Sequence, residues 1–166
     1  LMFPRPALDA AAIIHRLTDQ VGYARFRSRI GDLPEVSTDL PVATLAAEIR
    51  TPGPGQIRAL VTIAGNPALS VPDGRVIDEA LASLEVVVSI DPYITETSRH
   101  ADVVLPPQVA FERDELEVVF GSMSVRNMAR YSPRAVEPAA DTMEDAEILA
   151  ELIQRLATRI GSPQQR

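Results

Sequence analysis

"LVTIAGNPALSVPDGRVIDEALASLEVVVSIDPYITET", residues 60–97, decides how the chain folds. The segment ALVTIAG is a short unbroken apolar run that ends in turn residues, the pattern of a strand buried on both faces of a parallel sheet. PDGRVIDEALASL follows, with Val76, Ile77, Ala80, Leu81 and Leu84 spaced along one helix face. EVVVSID is a second β-branched run, and ADVVLPP, from Ala101, is a third. Strand, helix and strand joined by short connections predict parallel pairing through crossovers, hence an α/β fold.

Upstream, DLPVATLAAEIR predicts a helix with Pro41 in its first turn and Asp39 as its cap. TPGPG at residues 51–55 is punctuation. ALDAAAIIHRL is an apolar helix pattern with Asp9 near its start, and GYARFRSRIGDLPEV is a polar, Arg-rich connection that suggests no element. The expectation is an irregular helical N-terminal arm and linker over residues 1–55. Residues 56–166 are expected to form a three-layer Rossmann-like domain around a short, mainly parallel sheet. Downstream, PYITETSRH leaves room for a short helix entered near Thr95, and VFGSMSVRNMARYSP alternates loosely, predicting a hairpin or edge strands. DTMEDAEILAELIQRLATRIG reads as a final helix, acidic in its first turn, with Arg155 and Arg159 near its end and Gly161 and Pro163 as its stop.

A chain of 166 residues, 46% hydrophobic, is long enough for a sizeable core. Its net charge of −7 argues against a nucleic-acid partner or an anionic membrane surface. Cysteine is absent, and His15 and His100 are the only histidines. A disulfide framework, a thiolate nucleophile and a His-rich metal site are therefore not expected within this segment. No apolar run approaches the ~18 residues of a membrane span, so no membrane insertion by this segment is expected. All 16 basic residues are arginine.

Two turns carry candidate chemistry. At the end of a buried strand, Gly65 lets backbone approach a ligand, and Asn66 offers both a donor and an acceptor; a plain turn is the simpler reading of the pair. Asp91 lies 26 positions beyond Gly65, at the end of the next strand. In nucleotide-binding α/β units an acid ~20 residues past the glycine turn accepts from ribose hydroxyls. An Asx turn before Pro92 is the structural alternative. Thr95 is read either as a ligand contact or as a helix cap, and Arg113 either as a phosphate ligand or as a solvated partner of Glu112 and Asp114. Asp145 is placed to receive the two-donor edge of guanine, or to close a capping box with Thr142. His100 and Asp102 are assigned to structure.

The string Asp91-x-x-x-Thr95-x-Thr97-x-x-x-ADVVLP, flanked by AGNP and FERDE in the same order, resembles the molybdopterin oxidoreductase family of formate dehydrogenases, nitrate reductases and dimethyl sulfoxide reductases. The resemblance covers residues 58–161, and it implies the third, Rossmann-like domain of a four-domain large subunit. That domain holds the guanosine diphosphate end of one molybdopterin guanine dinucleotide, of which the full enzyme carries two around molybdenum. Carried over by position, the implied cofactor contacts are Gly65, Asn66, Ile90 through its backbone, Asp91, Thr95, Arg113 and Asp145. Arg113 stands where periplasmic nitrate reductases have a lysine, and Ala146 where an aromatic usually follows the helix-start Asp. DELEVVFGSMSVRNMARYSP departs from the family's usual pattern. The metal ligand and any [4Fe–4S] cluster would lie in other domains of the subunit. The implied partners are those domains and an electron-transfer subunit, with a cytoplasmic location expected, and the segment alone is expected to be inactive. The alternative is a non-catalytic Rossmann-like interaction or assembly module.

Overall fold

A computed structural model describes residues 23–36, 39–117 and 128–160. The helix pattern at residues 7–17, and the Gly161 and Pro163 stop, lie outside the described residues. In chain order the elements are β1 (Tyr23–Arg27), β2 (Pro34–Val36), a 3₁₀ turn at Val42–Thr44 that runs into α1 (Leu45–Arg50), β3 (Ala59–Ile63), α2 (Pro67–Ser70), α3 (Gly74–Leu81), β4 (Val86–Ile90), a second 3₁₀ turn at Ser98–His100, β5 (Val103–Leu105), β6 (Glu115–Glu117), β7 (Arg130–Ser132) and α4 (Asp145–Ile160).

The three apolar runs form one parallel sheet in the order β3-β4-β5. Ala59 to Ile63 pair in step with Val86 to Ile90, and Val88 to Ile90 with Val103 to Leu105. Alternation along a strand sends Leu60, Thr62, Val87 and Ser89 to one face. α1, α2 with the Val71 that follows it, and α3 supply a core there of Ala46, Ile49, Ala68, Val71, Ile77, Ala80 and Leu81, against which Leu60 packs. Thr62 and Ser89 are buried polar groups directly opposite one another, and each satisfies the other through a 3.1 Å hydroxyl–hydroxyl hydrogen bond. The second face carries Val61, Ile63, Val86 and Val103, which stay 46–50% exposed among the described residues.

The helix over residues 74–81 forms where its spacing predicts, behind Asp73. That residue adopts a left-handed backbone (φ 58°), and its carboxylate accepts from the Val76 N–H at 3.4 Å. Gly74 is demanded by packing: a β-carbon there would lie 2.6 Å from the Ala68 carbonyl oxygen of α2. That oxygen is backbone and cannot swing aside, so overpacking outweighs the helical advantage of alanine. Gly74→Ala is expected to cost about 1–3 kcal/mol, read as a lower urea midpoint with an unchanged m-value.

The Arg-rich stretch without a predicted element is the antiparallel β1–β2 hairpin. Asp39 does not cap the following helix. It exchanges two backbone hydrogen bonds with Val36 at 2.9 and 3.0 Å, and the 3₁₀ turn opens at Pro41 without a side-chain cap. The predicted hairpin in the second half is partly seen, as β6 and β7 pair antiparallel from Glu115↔Ser132 to Glu117↔Arg130. Residues 118–127 between them lie outside the described residues.

Candidate functional site

Because Ile63, Ile90 and Leu105 stand in register, the loops that follow the three strands leave one edge of the sheet side by side. Neighbouring strands are ~5 Å apart, so groups on adjacent loops are within reach of one small ligand. The loop after β3 carries Gly65 and Asn66, and the loop after β4 begins with Asp91. Past β5, Pro107 forms a parallel bridge with Met143, and the Gln108 N–H donates to the Met143 carbonyl at 3.0 Å. This bridge draws the entrance of α4, and Asp145 with it, to the same edge.

The turn at AGNP is made differently from a simple glycine turn. Ala64 takes the left-handed conformation (φ 47°), and its N–H donates to the Ile90 carbonyl at 2.9 Å. Gly65 has no positive φ, and a β-carbon there would meet only the Ile63 carbonyl oxygen at an ordinary 3.5 Å. Nothing in the described structure requires glycine at 65. Asn66 is tied to the neighbouring loop: its Oδ1 accepts from Thr97 Oγ1 at 2.7 Å, and its Nδ2 donates to Glu96 Oε2 at 2.7 Å.

Asp91 is largely buried and makes the Asx turn, its Oδ1 accepting from the Tyr93 N–H at 2.9 Å. Its Oδ2 has no hydrogen-bond partner among the described residues and is not sealed from the surface. Thr95 forms a reciprocal cap with Ser98. The Ser98 N–H donates to Thr95 Oγ1 at 3.2 Å, and the Thr95 N–H to Ser98 Oγ at 2.6 Å.

Arg113 and Asp145, 32 positions apart, are paired through Nη1 and Oδ1 at 2.8 Å, both about one-third exposed. The expected neighbours of Arg113 are committed elsewhere. Glu112 accepts from the Val109 and Ala139 N–H groups, and Asp114 from the Arg134 N–H and the Tyr131 hydroxyl. Asp145 closes no capping box with Thr142. Glu147 takes that role by accepting from the Glu144 N–H at 3.0 Å, and the Thr142 hydroxyl donates to the Ala139 carbonyl. Asp145 Oδ2 therefore has no partner among the described residues.

Thr97 is the residue that pattern reading missed. It is fully buried, and its Oγ1 accepts from the Ala68 N–H at 3.0 Å while donating to Asn66. The second threonine of the Thr95-x-Thr97 pair was the available signal, hidden by the helix-cap explanation. His100 and Asp102 are structural, as read from the sequence. Asp102 Oδ2 accepts from the Val87 N–H at 2.8 Å, and the His100 ring shares a 2.7 Å hydrogen bond with Asp78 on α3.

Asp78 anchors this segment to the helix layer, and the His100 hydrogen bond, then that of Arg99, holds its carboxyl below the ordinary value of 3.8. A carboxylate depressed in the folded state stabilises fully above its unfolded pKa, and that contribution is lost as pH falls through the folded value. Glu85, Glu96 and Asp114 are depressed in the same direction. Asp78→Asn is therefore expected to flatten part, not all, of the acid limb in a series of melting temperatures against pH.

A parallel α/β sheet with its polar loops gathered at the carboxyl edge defines a Rossmann-like domain. The chain belongs to the molybdopterin oxidoreductase family, whose model matches residues 8–155. It is 36% identical over 113 residues to the NADPH-Fe(3+) oxidoreductase subunit alpha of Geobacter sulfurreducens, covering 66% of this chain and 13% of that protein. It is 31% identical over 103 residues to the assimilatory nitrate reductase catalytic subunit of Bacillus subtilis, covering 61% and 14%. Against the F420-dependent formate dehydrogenase subunit alpha of Methanocaldococcus jannaschii it is 33% identical over 101 residues, covering 60% and 14%. These relatives are oxidoreductases, and this chain spans about one-seventh of their length. Among the described residues no helix is long and apolar enough to cross a membrane.

Proposed function

We propose that this chain is the part of a molybdenum-dependent oxidoreductase that grips the guanosine diphosphate end of one molybdopterin guanine dinucleotide. The observation that carries the reading is a convergence. What supports it is that the Asn66 and Asp91 loops leave neighbouring strands in register, and that the Pro107–Met143 bridge ties the start of α4, with the Arg113–Asp145 pair, to the stretch after β5. Their chemistry suits the three parts of such a ligand. Asp91 Oδ2 is an open acceptor for ribose hydroxyls, and the Asp145 carboxylate, with Oδ2 open and Oδ1 shared with Arg113, for the ring N–H and amino group of guanine. Arg113 supplies the cation for a phosphate. A glycine at 65 that neither backbone conformation nor packing demands is consistent with a ligand that lies against the main chain.

In this reading the residues of the chain bind and orient; they neither donate nor remove a proton. When bound in the complete subunit, the cofactor supplies two-electron redox chemistry at its metal, remote from the nucleotide end. Fixing base, ribose and phosphate limits how far the distant dithiolene end can wander. The other domains of the subunit and an electron-transfer partner complete the machine. Calorimetric titration of the chain with GDP and with ADP tests the proposal. Saturable heat with GDP and weaker or no heat with ADP is expected, and equal or absent binding of both overturns it.

A further inference from the structure

We infer that Glu96 competes with the nucleotide for the amide of Asn66, so that a nucleotide must displace it; Glu96 thereby lowers the affinity of the site. The inference rests on the nucleotide-binding reading above and adds to it the residue that competes with the ligand. It begins with the orientation of one amide. The Glu96 carboxylate can only accept, so the atom of Asn66 facing it at 2.7 Å is the amide nitrogen. The carbonyl oxygen of Asn66 then faces Thr97, whose hydroxyl donates to it at 2.7 Å while accepting from the Ala68 N–H. The carboxylate thus orients the amide, and the Thr97 hydroxyl, able to donate or accept, follows it.

The two ends are not equivalent. The Thr97 end is fully buried and fixed, whereas Glu96 is exposed on the loop after β4. What Asn66 can offer a ligand is therefore a donor, and what it meets is an acceptor atom, either a phosphate oxygen or the guanine carbonyl. In the structure the carboxylate of Glu96 is that acceptor. The Asn66 amide, its own backbone N–H and, more weakly, Arg99 favour its ionised form. A negatively charged ligand approaching Asn66 has to break this contact and tolerate the carboxylate beside it. Both effects weaken binding, and both act through an exposed side chain that can rotate into solvent at little cost.

The test is calorimetric titration of GDP into the wild-type chain, Glu96→Ala, Asn66→Ala and the double variant, with thermal melts to confirm that each is folded. Glu96→Ala is expected to bind GDP about fivefold more tightly, the worth of one modest hydrogen bond, with a clearly smaller gain when Asn66 is also alanine, since only the charge effect then remains. Guanosine and inorganic pyrophosphate, titrated in parallel, tell whether base or phosphate supplies the acceptor, according to which of them shows the gain. If the wild type binds GDP and Glu96→Ala binds no better, the inference fails and the nucleotide-binding reading stands. An equal gain in the Asn66→Ala background reduces Glu96 to simple charge repulsion and also overturns displacement. Absence of GDP binding by both the wild type and Glu96→Ala overturns the nucleotide-binding reading and this inference together.

Discussion

Asp145→Ala is expected to abolish the preference of the chain for GDP over inosine diphosphate, which lacks the exocyclic amino group. A hydrogen bond to a charged acceptor is worth about 1.5–3 kcal/mol, so the preference lost is roughly 10- to 150-fold. The ratio of the two affinities is the right measurement, because Asp145 also neutralises Arg113 at 2.8 Å. Removing the carboxylate frees that cation for the diphosphate, and the gain partly masks the loss in a bare dissociation constant. The gain is common to both nucleotides and cancels in the ratio. Arg113→Ala should behave in the opposite manner. Both nucleotides weaken together, the preference persists, and salt dependence falls. An Asp145→Ala chain that still distinguishes GDP from inosine diphosphate would remove Asp145 from base recognition.

The sheet was legible because its signals are local. Three β-branched runs and one helical spacing each occupy fewer than fifteen consecutive residues, and burial on the α1–α3 face follows directly from their periodicity. The site was legible only as a set of alternatives, since a carboxylate at a turn has the same local pattern whether it serves the backbone or a ligand. The coordinates divide these alternatives atom by atom. Asp91 gives Oδ1 to the Asx turn and keeps Oδ2 without a partner among the described residues, whereas Thr95 is committed to its cap with Ser98. Asp145 leaves capping to Glu147, a choice between two nearby acids that no spacing rule resolves. The strained residue of the AGNP turn is Ala64, although glycine propensity points to Gly65. Thr97 escaped notice because its importance depends on Asn66 and Ala68, 31 and 29 positions away.

The anchor of the least legible segment yields the largest expected loss of stability. Glu48→Ala is expected to destabilise the fold by about 3 kcal/mol, the low end for breaking a buried ion pair, measured by urea denaturation. Glu48 lies on α1 and is nearly fully buried. It accepts from Arg29 Nε at 3.1 Å through one oxygen and from the Ile30 N–H at 2.7 Å through the other. Truncation leaves a backbone donor and a guanidinium facing a cavity. Arg29 is 24% exposed and keeps its bonds to the Glu48 and Thr51 carbonyls, so it recovers some hydration, which is why the low end applies. Glu48→Gln keeps an acceptor for Ile30 and should cost less than half as much. The Arg-rich stretch has no apolar periodicity because its contacts are ionic and non-local. Arg25 pairs with the fully buried Glu35 across 10 positions, and Arg29 with Glu48 across 19. One buried carboxylate, Glu35, thus braces the β1–β2 hairpin internally, and a second, Glu48, holds it to the helix layer, on the helix whose Ala46 and Ile49 enter the core behind the sheet. A hairpin attached only by solvated charges would detach without unfolding the rest. If Glu48→Ala leaves the urea midpoint unchanged, that weaker attachment is the correct description.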